Sequence, residues 1–233
     1  MSVAALLLAA GRGERLGLPV PKAFVPLAGR PLLLHALAAL AASPAVERVV
    51  PVIARGDFER WEALAAERAA IPKLAPHVFG GERRQDSVAA GLGALSPSFR
   101  FVAVHDAARP FVRPAAIARV IEAARREGAA ILATPAADTI KRVRDGRVAA
   151  TPPREECWAA QTPQVFRVEL LREGLAKAQA EGRVATDDAQ LVEWLGAPVA
   201  VVEGDPDNCK LTRPEDLAAA ERRLAVAAAP EPR

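Results

Sequence analysis

Gly11, Gly13, Arg15 and Lys22 lie in the stretch that runs from Leu8 to Lys22. Gly11 and Gly13 let a backbone approach a phosphate closely and aim N–H groups at it. Arg15 and Lys22 add two positive charges to the same stretch. The spacing, Gly-x-Gly-x-x-x-Gly, misses the dinucleotide-binding fingerprint by one residue, and the Gly-Lys-Ser/Thr of a P-loop is absent. The chemistry on offer is therefore phosphate binding without either standard signature. The plainer alternative is a structural turn that carries two surface cations.

Two further segments have the same character. Gly80-Gly81-Glu82 leads through Arg83 and Arg84 to Ser87. Glycines there permit close approach, and a small polar side chain can hydrogen-bond a base edge; taken alone, the segment reads as an ordinary helix start. His105-Asp106-Ala107-Ala108-Arg109-Pro110 follows an apolar run. An Asp at the end of a buried strand is well placed to hold Mg²⁺ beside substrate phosphates. Arg109 offers a phosphate-type fork. His105 has the chemistry of a base, but a histidine at a strand end is more often packed or hydrogen-bonded. No Ser-His-Asp or Cys-His arrangement is visible, and three histidines offer no metal cluster.

All three segments need something to hold them at one place, and the pattern of the chain supplies it. Apolar runs at Val3–Ala9, Val46–Ala54, Leu74–Phe79, Phe101–His105, Ala130–Thr134 and Pro198–Val202 read as strands. Between them, Pro31–Ala42, Phe58–Ala70, Arg84–Leu95, Pro114–Arg126, Val168–Gln179 and Asp187–Leu195 read as helices. This alternation predicts an α/β fold of three layers, a mostly parallel sheet with helices on both faces. Ligands bind such sheets at the C-terminal ends of the strands, where the three segments stand. After Thr134 the rhythm changes. Asp145-Gly146, between the alternating stretches Thr139–Val143 and Arg147–Ala150, predicts a hairpin inserted as an arm over about residues 138–157. Thr212-Arg-Pro-Glu215 reads as a capping box that opens a terminal helix to about Val226. Residues 227–233 read as a disordered tail. With no repeat and no linker, residues 1–226 are expected to form a single domain.

Composition narrows the function classes. A chain of 233 residues, 51% hydrophobic and 25% charged, is long enough to fold around a core without staples. Its two cysteines, Cys157 and Cys209, form no C-x-x-C pattern, which favours a reducing compartment and packed thiols. The net charge of +3 is spread along the chain. With 4% aromatics and no Tyr, nucleic-acid stacking is unsupported. Val3–Ala10 is too short to span a bilayer, and no basic residue precedes it, so neither a membrane span nor a signal peptide is expected. The expected location is the cytoplasm.

Taken together, the segments resemble the sugar-nucleotide-type nucleotidyltransferases, through L-A-A-G-x-G-x-R and the later P-K at Lys22. The narrower resemblance is to the 2-C-methyl-D-erythritol 4-phosphate cytidylyltransferase family. It is carried by G-G-x-x-R-x-x-S-V, H-D-A-A-R-P, A-x-D-T-I-K-R, T-P-Q-x-F, T-D-D-A and D-N-x-K-x-T-R-P-E-D, in unbroken order from Val3 to about Leu224. Glu82 stands where that family often has Asp, and Leu16 where Met is frequent. The resemblance implies a Rossmann-like domain that transfers CMP from CTP to 2-C-methyl-D-erythritol 4-phosphate and releases pyrophosphate, with Mg²⁺ as cofactor. It implies that Arg15 and Lys22 are catalytic. Ala9, Ala10, Gly11, Gly13, Gly81, Glu82 and Ser87 would bind the nucleotide. Arg154, Lys210, Asp106, Arg109, Thr139 and Thr186 would position the methylerythritol phosphate, with Asp106 also near the metal. It further implies a homodimer whose arms interlock. Ribitol 5-phosphate or another polyol phosphate is the competing acceptor. A non-catalytic nucleotide-binding regulatory module is the competing class, against which the joint presence of Lys22, Asp106 and Lys210 speaks.

Overall fold

The computed structural model describes residues 1–11 and 20–228. In chain order, β1 (Val3–Ala9) is followed by a short ribbon, β2 (Pro26–Leu27) and β3 (Arg30–Pro31), and by α1 (Leu32–Ala42). Next come β4 (Arg48–Ile53), α2 (Phe58–Ala63), α3 (Ala65–Ala69), β5 (Val78–Phe79) and α4 (Arg84–Gly93). Then follow β6 (Phe101–Asp106), α5 (Pro114–Glu127), β7 (Ala129–Pro135), β8 (Arg142–Arg144) and β9 (Arg147–Ala150). The chain continues with β10 (Trp158–Arg167), α6 (Val168–Ala180), α7 (Asp188–Glu193), β11 (Ala200–Glu203) and α8 (Pro214–Ala228).

Seven strands form one sheet in the order β11-β7-β10-β6-β1-β4-β5. All neighbours are parallel except β10, which runs antiparallel to both β6 and β7. β1 lies between β6 and β4, apolar on both faces, as a central parallel strand must be. Val3, Ala5 and Leu7 pack with the buried faces of α1 and α5; Ala4 and Leu6 pack on the opposite side with α4, α6 and α7. α5 starts with Pro114 in its first turn, carries Arg125 and Arg126 in its last, and stops at Gly128 with φ 93°. Each of these features suits the end at which it stands. The expected three-layer α/β fold is therefore the one observed.

Several element boundaries differ from the expected ones. The helix expected over Phe58–Ala70 breaks at Leu64 into α2 and α3. The strand expected over Leu74–Phe79 pairs regularly only at Val78 and Phe79, with one bridge from Leu74 to Val49. The arm hairpin forms around Asp145 (φ 50°) and Gly146 (φ 71°), but its first strand begins only at Arg142. The terminal helix opens at Pro214, so the residue that accepts the backbone N–H groups of Thr212 and Arg213, at 2.6 and 2.8 Å, is Asp216 and not Glu215. That helix runs to Ala228, past the expected start of the tail. Cys157 is half-buried, but Cys209 is exposed and is not a packed thiol.

The largest difference is β10, which the sequence reading did not anticipate. Its Gln161-Thr-Pro-Gln164 stretch breaks the apolar pattern, and a proline in a run argues against a central strand. In the structure this stretch is a bulge: four residue steps on β10, Ala160 to Gln164, span two on β7, Ala133 to Ile131. A bulge re-aims side chains that a regular ladder would send to alternate faces. Here Gln161, Thr162 and Gln164 are all buried.

Candidate active site

A cleft opens at the C-terminal ends of β1 and β6, where an open α/β sheet holds its ligands. Its walls combine Ala9, Ala10 and Gly11 after β1, Lys22 from the turn Lys22–Phe24, Gly81, Glu82 and Ser87 before and within α4, and Asp106 at the end of β6. Arg84 and Lys210 also line it. Of the residues expected to bind nucleotide, Ala9, Ala10, Gly11, Gly81, Glu82 and Ser87 are thus brought to one place. Gly13 and Arg15 lie outside the described residues.

The glycine pair before α4 is required by space. A Cβ on Gly80 would stand 2.6 Å from both the Ala10 Cβ and the Ser87 Oγ. Ser87 is buried, and its Oγ accepts the Gly81 N–H at 3.2 Å, so this side chain sets the shape of the loop as well as facing the cleft. Arg83 and Asp86 close the helix start: the Asp86 carboxylate accepts the Arg83 N–H at 3.1 Å and pairs with its guanidinium at 2.8 Å.

Three charges alternate along the cleft floor, and a fourth, Asp188, lies buried behind them. Lys210 Nζ meets Asp106 Oδ2 at 2.6 Å. Asp106 Oδ1 accepts from Arg84 at 3.3 and 3.4 Å, and Arg84 Nη1 reaches Asp188 Oδ1 at 2.6 Å. Burial alone would raise the Asp106 carboxyl, but Arg84 and Lys210 outweigh it and hold the group well below the usual carboxylate range. Burial likewise works against the Arg84 cation, and the Asp188 and Asp106 carboxylates more than offset it. Asp106 therefore faces the cleft as an anion with a cation on each oxygen.

β10 holds the loops that carry these groups. Thr162 Oγ1 accepts the Asp106 N–H at 3.1 Å. Gln161 and Thr162 fasten the Lys210 loop: Gln161 donates to the Asp205 carbonyl at 2.8 Å, and Asn208 Nδ2 donates to Gln161 Oε1 and to the Thr162 carbonyl at 3.1 and 2.9 Å. Gln164 Oε1 accepts the N–H groups of Asp188 and Ala189, both at 3.0 Å, and its amide donates to Asp187 at 2.8 Å. Asp187, rather than Thr186, caps α7 by accepting the Gln190 N–H. The sequence motifs include Thr162, Gln164, Asp187 and Asn208 without giving any of them a place in the site, and Gln161 falls outside them. The signal present was polarity in a run that had to be buried to fit a sheet.

The remaining expected residues occupy other positions. Arg109 sends its terminal nitrogens to the Asn208 carbonyl at 2.6 Å and the Ala160 carbonyl at 3.1 Å, tying the β6–α5 loop to the Lys210 loop. Burial lowers its pKa. Thr139, Arg154 and Thr186 are exposed, and none of them lines the cleft within this chain. Arg154 reaches the Ala137 carbonyl at 3.5 Å beside the arm. His105 is fully buried, with Nδ1 2.9 Å from the Thr162 hydroxyl and Nε2 3.0 Å from the Arg109 carbonyl; burial pushes its pKa down to about 4. It is a structural residue and not a base.

Comparison with known proteins bears on the whole chain. Residues 3–225 match the family model of 2-C-methyl-D-erythritol 4-phosphate cytidylyltransferase. The enzyme of that name from Pelotomaculum thermopropionicum is 48% identical over 220 residues, covering 94% of this chain and 92% of its own. The crystal structure of the Thermus thermophilus enzyme of that name is 41% identical with a TM-score of 0.76, covering 97% of this chain and all of its own. The 4-diphosphocytidyl-2C-methyl-D-erythritol synthase from Anaerococcus prevotii is similar at 30% identity and a TM-score of 0.86, over 96% of each chain.

Proposed function

The chain belongs to the 2-C-methyl-D-erythritol 4-phosphate cytidylyltransferase family, and we infer that it transfers CMP from CTP to 2-C-methyl-D-erythritol 4-phosphate. The products are 4-diphosphocytidyl-2-C-methyl-D-erythritol and pyrophosphate, on the non-mevalonate route to isoprenoids. In the transfer an acceptor phosphate oxygen forms a bond to the α-phosphorus of CTP. The bond from that phosphorus to the bridging oxygen of the β-phosphate breaks, and its electron pair leaves on pyrophosphate. The nucleophile is already an anion, so no proton has to be moved. The observation that carries this reading is the Lys210–Asp106 pair at the floor of a glycine-walled cleft also lined by Lys22. Among the described residues such a site is rich in cations and has no poised base, which suits a reaction whose difficulty is joining polyanions.

In this reading Lys22 and Arg15 stabilise the charge that develops on the phosphates. Ala9, Ala10, Gly11 and Gly13 wrap the triphosphate, while Gly81, Glu82 and Ser87 meet ribose and base. Asp106, Lys210, Arg109, Thr139, Arg154 and Thr186 serve the acceptor. Mg²⁺ fits here as a companion of the triphosphate. Among the described residues no three His, Cys, Asp or Glu side chains gather to cage a metal. Two carboxylate side chains line the cleft, Asp106 and Glu82, and Mg²⁺ typically takes one or two carboxylates with phosphates and waters. When bound there it would neutralise charge on the phosphates.

The arm supports a homodimer. Among the described residues β8 and β9 pair only with each other, and Ile140, Val143 and Val148 are 41%, 58% and 62% exposed. A lone two-stranded hairpin is marginal in water and gains by packing against a second copy. Two free cysteines agree with a cytoplasmic location, and among the described residues no helix is long and apolar enough to cross a membrane.

Pyrophosphate release tests the reading. CTP with methylerythritol phosphate is expected to give rapid release, and excess chelator is expected to stop it. CTP with ribitol 5-phosphate, or ATP or GTP with either acceptor, is expected to release little. No release with any acceptor would instead favour the regulatory module.

A further inference from the structure

Arg84 joins two parts of the site that lie far apart in the chain. It opens α4, directly after the glycine loop expected to hold nucleotide. Its guanidinium crosses to Asp188, 104 residues on, in the segment that also carries Thr186. Asp188 is 1% exposed, and among the described residues its Oδ2 has no hydrogen-bond partner. A buried carboxylate with one bare oxygen is costly: burial raises the Asp188 pKa, and the guanidinium on its other oxygen offsets only part of that cost.

The distances show how Arg84 divides itself. Its short contact, 2.6 Å, goes to Asp188, while its two contacts to Asp106 are 3.3 and 3.4 Å. The short contact to Asp106, also 2.6 Å, belongs to Lys210. Asp188 thus draws Arg84 away from Asp106 and leaves Asp106 to Lys210. Without the Asp188 charge, the fork of Arg84 is released to bind Asp106 in the bidentate manner that guanidinium and carboxylate favour. Lys210 would then lose its short partner, and the cleft floor would present a different arrangement of charge.

We propose that Asp188 is a positioning residue for the transfer: by holding Arg84 from behind, it fixes the Asp106–Lys210 pair that receives the acceptor phosphate. This rests on the reading of the site given above, and it names a residue that touches no substrate. Because Gln164 pins the backbone of Asp188 independently of the ion pair, the charge can be removed without releasing α7.

The test is steady-state kinetics of Asp188→Asn beside the wild-type protein, with CTP and methylerythritol phosphate varied separately. The wild-type arm reports on the proposed reaction itself: if it turns over neither substrate, the functional reading fails, whatever Asp188 does. With an active wild type, Asp188→Asn is expected to lower kcat on the order of 10²-fold, the cost of misplacing a group by about 1 Å. The acceptor KM should rise roughly tenfold while the CTP KM stays within about twofold, the split expected when only one substrate's contacts are disturbed. Equal losses for both substrates, in step with a lower melting temperature, would mark a purely structural role and overturn the proposal. So would unchanged kinetics. Should Asp188→Asn fail to fold, Arg84→Lys gives the same reading, since an ammonium keeps the charge but cannot bridge two carboxylates in a fork. A wild-type acceptor KM and kcat in Arg84→Lys would then overturn it.

Discussion

The Thr162 hydroxyl donates its proton to Nδ1 of His105 across 2.9 Å, and the same oxygen accepts the Asp106 N–H at 3.1 Å. The direction follows from the other side of the ring. Nε2 faces the Arg109 carbonyl, which can only accept, so Nε2 carries the proton and Nδ1 is the acceptor. The Arg109 carbonyl thus sets the tautomer of His105, and one threonine on β10 ties that ring to the backbone of Asp106.

That arrangement gives stability a specific pH dependence. The pKa of His105 falls from 6.5 to about 4 because the ring is fully buried. Below pH 6.5 the unfolded chain takes up a proton that the folded chain refuses until about pH 4. The stabilising contribution is thus complete above about 6.5 and is lost as pH falls towards 4, by on the order of 3 kcal/mol for a shift of this size. Asp106 adds a second loss only at lower pH, since its pKa is depressed in the fold. Urea unfolding at pH 7 and pH 4.5 is expected to show the decline, and His105→Gln should flatten it. A variant with the wild-type decline would assign it to other groups.

Lys22→Ala is expected to lower kcat by on the order of 10²–10³, the usual loss for one transition-state donor. CTP binding should weaken less, because backbone N–H groups, and Mg²⁺ if bound as proposed, would share the ground-state charge. The melting temperature should hold, since a lysine in a three-residue turn contributes little to the core. Single-turnover kinetics with CTP titrated separately checks the first two expectations, and thermal unfolding checks the third.

Gln164→Leu is expected to destabilise the fold by about 2–4 kcal/mol, because it strips a buried acceptor from two N–H groups at the start of α7. The loss should appear in chemical denaturation. Hydrogen exchange should rise first at Asp188 and Ala189, and no such local change would show that water replaces the side chain at no cost.

The arm gives a mixing experiment. Lys22→Ala and Arg154→Ala are each expected to be inactive alone. If one site draws Lys22 from one protomer and Arg154 from its partner, a mixed dimer holds one site with both defects and one with neither. Activity then returns when subunits exchange. If both residues come from one chain, every site keeps a defect, and the mixture stays dead.

Much of this molecule was legible without coordinates because the informative features are local. A run such as Val3–Ala9 has to be a buried strand, since seven apolar residues in a row suit a strand covered on both faces. Asp145-Gly146 turns a hairpin because those residues accept positive φ. The glycine loop before α4 and the Asp at the end of β6 could be placed at the mouth of the sheet from order alone. What only the tertiary structure decided is who meets whom. The sequence holds Arg84, Asp106, Asp188 and Lys210 far apart, and no pattern of period or spacing says that they line up as alternating charges. Nor does any pattern identify β10, whose buried polar stretch reads as a loop until the Asp106, Asn208 and Asp188 loops arrive to take its hydrogen bonds. A local signal can report only a cost borne locally; the desolvation of Gln161, Thr162 and Gln164 is offset by partners from elsewhere in the chain, and so it becomes readable only once the chain has folded.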